Sequence, residues 1–452
     1  MNSTPLLKQP SAAFYTLGCK VNTYDTEAIQ ELFEQAGYEI VPFEEPADIY
    51  VVNTCTVTHL GDRKSRQMLR RARRNNPDAL IIAAGCYAQT APETVLAIDE
   101  VDLVLGTADR SHIVEIAEEA RRGLEPDQNR NLAHSLAGTE FEELEISKTE
   151  GHTRAFVKIQ EGCAQYCSYC IVPYARGPVR SRRPEKALEE IARLSKAGYR
   201  EIVLTGIHIA SYGRDFADSR NTPQFNEELV SLVENAAMIP GIERIRFSSI
   251  EPRLMSRPFL DRLSRIPQIC PHFHLSLQSG SAGVLKRMNR RYSPDEFYKI
   301  TQLIREYYPT AALTTDIIVG FPGETDKEFQ ETLDFVKKVG FAQIHIFRYS
   351  QREGTPAAEF KKQVPDQVKA ARAEALAAVE HDMRHDFLKA ADGKTVRILI
   401  EQQEEDGSYS GYTESYRPVR FIPQPGTHRY KGRIVETEVF YTGDDRLSAH
   451  HG

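Results

Sequence analysis

The chain has 452 residues, 41% hydrophobic and 27% charged, enough to bury cores in roughly two to four domains and too apolar for disorder throughout. Lys and Arg number 57 against 64 Asp and Glu, giving a net charge of -7, so global electrostatics does not by itself point to nucleic acid. Seven cysteines are too few for a disulfide-dense secreted scaffold, and their odd number leaves at least one unpaired.

The N-terminal MNSTPLLKQPSAAF carries no apolar run long enough for a signal-peptide core, and no later segment approaches the roughly 18 apolar residues of a membrane helix. A soluble, cytoplasmic protein with no membrane contact is expected, and in that reducing compartment clustered cysteines more often bind metal or do redox chemistry than form bridges. Three short apolar stretches then run directly into cysteines: Ala12 to Leu17 into Cys19, Ile49 to Val52 into Cys55, and Leu80 to Ala84 into Cys86. A helical pattern (Ile29, Leu32, Phe33, Ala36) separates the first two, and the spacing between cysteines matches one strand-helix-strand unit of roughly 30 residues. In a parallel sheet built this way the strand ends share one edge, so all three thiols converge on the crevice where open α/β folds bind ligands.

From Arg121 to Gly151 the pattern dissolves into a polar stretch, expected as an interdomain linker. Strand candidates then begin near Ala155, Ile202, Arg244, Phe273, Leu313 and Ile344, separated by helical patterns. Six repeats are too few for a closed eight-stranded barrel and predict a partial one. A helical stretch from Gln367 to Lys389 leads to short strands at Thr395 to Glu401, Tyr409 to Tyr412, Val419 to Ile422 and Gly432 to Phe440, a small all-β module. The expected fold is thus multidomain α/β: a parallel-sheet domain over 1–125, a linker over 126–150, a partial (β/α)6 barrel over 151–385 and an all-β barrel over 386–452.

The sharpest local signal is the C-x3-C-x2-C loop of Cys163, Cys167 and Cys170 after the first barrel strand. Three thiolates hold three irons of a [4Fe-4S] cluster and leave the fourth open for the amino and carboxylate groups of S-adenosylmethionine; free buried thiols or a zinc knuckle are the bland alternatives. The spacing resembles the radical S-adenosylmethionine superfamily. Other strand ends agree: Thr205 and Gly206 offer backbone groups to the methionine end, Glu251 and Gln278 suit ribose hydroxyls, and Tyr169 suits the adenine, although each also reads as an ordinary turn or strand-end residue. His272 and His274 alternate on an apolar strand as satisfied core histidines, and Cys270 reads as a structural thiol. A second open cluster on Cys19, Cys55 and Cys86 suggests a reaction that needs both a radical and a delivered atom, for which sulfur is the obvious cargo.

The motifs TLGCKVNTYDTE, VVNTCTVTHLGDRKSRQ, AAGCYAQ, EGCAQYCSYCIVPYARG, LTGIHIASYG, RIRFSSIEP, HLSLQSG and TTDIIVGFPGET together resemble the radical S-adenosylmethionine methylthiotransferases over nearly the whole chain. Gly18-Cys19-Lys20-Val21-Asn22 and Asp62-Arg63-Lys64-Ser65-Arg66 are most similar to the branch acting on N6-threonylcarbamoyladenosine at tRNA position 37, whereas the isopentenyladenosine branch typically has Gln-Met after the first cysteine. The resemblance implies an auxiliary [4Fe-4S] cluster on Cys19, Cys55 and Cys86, a radical-generating one on Cys163, Cys167 and Cys170, and a TRAM domain as the terminal module. It further implies a transferase that moves a methylthio group to C2 of the base, which leaves its stack to react. S-adenosylmethionine would act as both radical source and methyl donor, with an electron donor such as flavodoxin or ferredoxin and a sulfur source as further partners.

Contacts to the tRNA anticodon stem-loop must come from local charge. Residues 62–76 place Arg63, Lys64, Arg66 and Arg70, with further arginines, on one expected helix. Arg176 and Arg180, with Arg182 and Arg183, follow the radical loop, and Arg417 and Arg420, with Arg429, Lys431 and Arg433, recur in the terminal module. Three rivals remain at this point: the same chemistry on isopentenyladenosine tRNA or on a ribosomal-protein aspartate, a non-catalytic iron-sulfur protein that binds RNA or carries electrons, and a zinc-binding structural module.

Overall fold

A computed structural model describes residues 9–123, 131–149, 151–222, 225–424, 426 and 430–450. The N-terminal unit is a five-stranded sheet of β1 (Ser11–Thr16), β2 (Glu39–Ile40), β3 (Ile49–Thr54), β4 (Leu80–Gly85) and β5 (Leu103–Leu105), in the order β2-β1-β3-β4-β5 with every pair parallel. Every residue of β3 is buried, as for a central parallel strand covered by helices on both faces. Helices α1 (Lys20–Gln35), α2 (His59–Asn75) and α3 (Cys86–Thr90) follow β1, β3 and β4. The three strands expected to run into cysteines are the three adjacent central strands, so their carboxyl ends share one edge.

The second unit has two four-stranded sheets: β7-β6-β8-β9 and β10-β11-β12-β13. They comprise β6 (Arg154–Glu161), β7 (Arg180–Ser181), β8 (Glu201–Gly206), β9 (Arg244–Phe247), β10 (Ser249–Ile250), β11 (His272–Leu275), β12 (Ala312–Val319) and β13 (Gln343–Arg348). β9 and β10 are one strand interrupted at Ser248, and the parallel bridge Ile245 to Ile269 continues the curve toward β11. Six parallel staves therefore form an open barrel, starting within a residue or so of the expected positions. Ile202, Leu204, Ile245, Phe247, Phe273 and Leu275 pack under the helices, so the alternate residues Glu201, Arg246, His274, Asp316 and His345 face the lumen.

The terminal module is a closed barrel, β14-β15-β16-β18-β17, made of β14 (Lys394–Gln403), β15 (Tyr409–Thr413), β16 (Pro418–Ile422), β17 (Ile434–Tyr441) and β18 (Leu447–His450). Four of these match expected strands; β18 closes the barrel and was not foreseen. The helix Asp366–Lys389 crosses the expected boundary at 386, so the β module begins only after it. This module seals the amino-terminal end of the open barrel. Arg244 donates to Tyr412 O (3.2 Å) and Arg397 O (2.6 Å), and Arg246 to Glu414 O (3.0 Å). Tyr416 stacks on His272 at 4.8 Å and lies under the guanidiniums of Arg154 and Arg246.

The connecting stretch is more than a polar linker, a correction to the expectation. Residues 124–130 and 150 lie outside the described residues, but 131–149 form a strap over both units. Leu144 and Ile146 are buried in the core of the open barrel, Asn131 bridges to Val104, and Glu142 pairs with Arg110 at 2.8 Å. The alternation of Phe141, Leu144 and Ile146 with glutamates is what allows one edge of the strap to be buried while the other stays wet.

Candidate active site

Cys19 is the N-cap of α1, Cys55 precedes α2, whose N-cap is Thr58, and Cys86 opens α3. Gly18 (φ 107°) makes the first approach possible: a Cβ there would meet the Cβ and Sγ of Cys55 at 3.1 and 3.2 Å. Gly85 (φ 90°) is equally constrained, because its Cβ would lie 2.2 Å from Asn53 Oδ1. The three cysteines interact electrostatically with one another, and burial pushes the Cys55 thiol up to about 11 and raises that of Cys86. A metal group binding here must therefore displace protons.

Cys163, Cys167 and Cys170 lie on the loop that leaves the carboxyl end of β6. Gly162 (φ 74°) is irreplaceable in this turn, since a Cβ would fall 1.7 Å from Pro178 O. The loop is stitched down by Cys163 N to Gly177 O (3.0 Å), Ser168 N to Met288 O (3.0 Å), Ser168 Oγ to Arg287 O (2.7 Å) and Ala357 N to Ser168 O (2.8 Å). Burial raises the Cys163 thiol and pushes that of Cys170 up to about 12.

The two triplets occupy facing edges of two units that are locked together. Arg352 of the barrel donates to Asp62 (2.6 Å) and Thr56 (2.5 Å) beside Cys55, and Thr107 Oγ1 to Ala175 O (2.7 Å). Between them lies a buried ionic cluster that no local motif signalled. Asp25 on α1 pairs with Arg110, with Lys158 (2.6 Å) and with Arg176 (2.8 Å), and Glu161 pairs with Arg176 (2.5 Å) and Arg110 (3.1 Å). All five are at most 2% exposed. Burial alone would raise both carboxyls, but the surrounding Arg110, Lys158 and Arg176 outweigh it and hold both below their ordinary range.

Each triplet has one arginine aimed at a sulfur. Arg176 Nε donates to Cys86 Sγ at 3.2 Å, and Arg290 Nη1 to Cys167 Sγ at 3.4 Å, with Arg290 Nη2 anchored on Ser276 O at 2.8 Å. Such donors favour thiolate over thiol, as a metal-sulfur ligand requires. Single-ion geometry is absent: among the described residues, the groups whose donor atoms all lie within 4.8 Å of one another are His274-Asp316-His345 and His381-His385-Asp445, and neither cysteine triplet is among them. Thiolates around one zinc sit about 2.3 Å from it, so the wider triplets fit the span of a cluster better than a zinc knuckle.

These contacts correct several expected RNA contacts. Arg176 and Arg180 are buried, Arg180 bonding Thr139 Oγ1 (2.8 Å) and Arg176 O (2.8 Å), so neither faces phosphate. Arg182 is likewise buried against Glu190 (2.5 Å), while Arg183 is exposed. Arg417 donates to Phe387 O (3.0 Å) and stacks on the Phe387 ring, and burial lowers its guanidinium to about 10, which makes it a structural residue. Arg420 is partly exposed but paired with Asp406; Lys431 and Arg433 are exposed, and Arg429 lies outside the described residues. On α2, Arg63 and Lys64 are exposed, Arg66 donates to Tyr87 Oη (3.0 Å), and the half-exposed Arg70 lies 3.8 Å from Glu100.

The expected cofactor residues sit at the carboxyl edge of the barrel with different degrees of freedom. Thr205 is buried and Gly206 ends β8, where a Cβ would lie 2.9 Å from Gln160 O. Gln278 adopts φ 74° while its backbone bridges to β12. Tyr169 packs edge-on to Phe321 at 6.4 Å. Glu251 caps its own turn through Arg253 N (3.0 Å) and pairs with the Arg253 guanidinium (3.1 Å), so its carboxylate is already engaged. His274 is satisfied by Thr314 (3.0 Å) and Asp316 (3.1 Å), but it faces the lumen rather than an apolar core. Cys270 is a buried thiol pushed up to about 12 by burial, in keeping with a structural role.

Sequence reasoning passed over Lys20 as a site residue. It follows Cys19 on α1, is accessible to solvent, and yet is walled by protein; burial, then Arg154 and Arg246, bring its ammonium down to about 8, while Asp316 opposes them.

Comparison with known proteins follows the same division. The description "Radical SAM superfamily" matches residues 157–336 and "Uncharacterized protein family UPF0004" matches residues 11–106. The threonylcarbamoyladenosine tRNA methylthiotransferase MtaB of Bacillus subtilis is 43% identical over 96% of this chain and 94% of its own length. A tRNA-2-methylthio-N(6)-dimethylallyladenosine synthase of Natranaerobius thermophilus is 36% identical, over 94% of each. Among solved structures, the radical S-adenosylmethionine methyltransferase TsrM of Kitasatospora setae shares the fold with a TM-score of 0.56 at 13% identity, covering 78% of this chain and 74% of that one.

Proposed function

The chain belongs to the tRNA methylthiotransferases of the radical S-adenosylmethionine superfamily, and from that membership we propose that it transfers a methylthio group to C2 of N6-threonylcarbamoyladenosine at position 37 of tRNA. The observation that carries this reading is the pair of three-cysteine edges facing each other across the Arg176 cluster, in a chain whose greater identity is to the threonylcarbamoyl branch. When bound, two [4Fe-4S] clusters and S-adenosylmethionine supply the radical at C2 and the methylthio group.

The chain's own residues hold and shield. Cys19, Cys55 and Cys86 are the proposed ligands on one edge and Cys163, Cys167 and Cys170 on the other, with Arg176 and Arg290 each donating a hydrogen bond to one sulfur of a set. Thr205, Gly206, Gln278 and Tyr169 are the residues proposed to line the S-adenosylmethionine site, and the terminal barrel closes the lumen from below, so that the flipped base enters from the cysteine side. A flavodoxin- or ferredoxin-type electron donor, a sulfur source and a cytoplasmic location complete the proposal; among the described residues no helix is long and apolar enough to cross a membrane.

Mass analysis of tRNA nucleosides from a deletion strain tests the substrate. The methylthio form of threonylcarbamoyladenosine should vanish and return on complementation; loss of the methylthio form of isopentenyladenosine instead would assign the chain to the other branch. The exposed pair on α2 makes a separate prediction. Reversal of Arg63 and Lys64 to Glu should weaken tRNA binding and flatten the plot of log affinity against log salt by roughly two slope units, about 0.9 for each phosphate left without its cation. An unchanged slope would remove α2 from the interface.

A further inference from the structure

Resting on this functional reading, we propose that Lys20 binds the carboxylate of the substrate's threonylcarbamoyl group and so selects this base over other N6-substituted adenosines. The substrate carries a negative charge that a neutral N6 substituent lacks. On a purine, C2 and the N6 substituent lie along the same Watson-Crick edge, so a reader of that substituent must stand beside the group that delivers to C2. Lys20 is covalently adjacent to Cys19, at the first turn of α1, and its ammonium is within electrostatic reach of the lumen residues Arg246, Asp316, His272 and His345.

Apart from the exposed Arg63 and Lys64 of α2 and the Nη2 atom of Arg246, the other cations around the cysteines and the lumen are engaged. Arg176 and Arg110 are consumed by Asp25 and Glu161, Arg182 by Glu190, and Arg154 by Glu401 at 2.7 Å. Arg246 is held by Glu201 at 2.8 Å and Arg290 by Ser276 O and Cys167. Among the described residues Lys20 makes no ion pair or side-chain hydrogen bond, and it is reached by solvent. An exposed ammonium with no counter-ion, standing next to Cys19, is free to pair with an incoming carboxylate. The lumen beside it holds acceptors and donors in fixed positions: Asp316, bonded to His274 at 3.1 Å, with the His345 ring 5.6 Å from that of His274. These suit the hydroxyl and urea groups of the same substituent.

The test uses the anaerobic holoenzyme and two anticodon stem-loops, one with threonylcarbamoyladenosine and one with its carboxylate methyl-esterified. The wild type should favour the free acid in kcat/KM by about ten- to a hundredfold, the range of one charge-assisted hydrogen bond. Lys20→Gln should bring the ratio of acid to ester near one, and Lys20→Arg should retain most of the preference, with iron content reporting that each variant is assembled. Retention of the wild-type ratio in Lys20→Gln overturns the proposal. Independently of any variant, carbodiimide coupling of the acid stem-loop to the wild-type protein should yield an amide at Lys20; coupling only at other lysines overturns it. Equal turnover of acid and ester by the wild type overturns this proposal alone, whereas turnover of neither overturns the functional reading as well.

Discussion

Asp25→Ala should cost about 3–5 kcal/mol of stability, the usual penalty for leaving buried charge unpaired, and should be the most damaging single substitution outside the hydrophobic cores. It leaves Arg110, Lys158 and Arg176, all buried, with Glu161 and the more accessible Glu142 as their carboxylates. Denaturant unfolding followed by far-ultraviolet circular dichroism reads the effect, the chain having no tryptophan. The same cluster sets an acid limit. Both carboxyls titrate lower in the folded chain than in the unfolded one, so their contribution is present above the ordinary values of 3.8 and 4.5 and is lost as pH falls through the folded values. Asp25→Ala should therefore flatten the acid side of the stability profile. An effect below about 1 kcal/mol would mean that the cluster contributes no more than surface pairs do.

Cys163→Ala should abolish formation of 5′-deoxyadenosine from S-adenosylmethionine by the reduced protein. Cys163 stands at the start of a loop whose backbone is fixed at Gly177, Met288 and Ala357, so no neighbouring thiol can move into its place. The other triplet lies on a different unit, so its bound iron should survive the substitution. Retained cleavage of S-adenosylmethionine would contradict the assignment of this loop.

What was legible in the sequence was whatever obeys a local rule. Strands running into Cys19, Cys55 and Cys86 announce a shared sheet edge, and a cysteine spacing announces a cluster loop; six alternations announce an open barrel. Burial of charge obeys no such rule. Arg176, Arg180 and Arg182 read as a basic run, yet their side chains turn inward to partners as remote in the chain as Asp25, Thr139 and Tyr24. Only the tertiary fold brings those partners near, and the run therefore misleads as an RNA footprint. Arg417 fails for the same reason, its guanidinium being taken up by Phe387, 30 residues away in the chain. Glu251 stands at the expected strand end, but its neighbour Arg253 competes for it. β18 was invisible because four residues, LSAH, carry too little alternation to register as a strand before the barrel closes around them.

The central claim is that two separate three-cysteine edges each hold a [4Fe-4S] cluster. Iron and acid-labile sulfide, determined per chain on anaerobically purified protein and on the Cys19/Cys55/Cys86 triple alanine variant, test it most directly. Wild-type protein should contain about eight irons and the variant about four, with cleavage of S-adenosylmethionine persisting in the variant. Equal iron in the two proteins, or zinc in place of iron in either, would contradict the account.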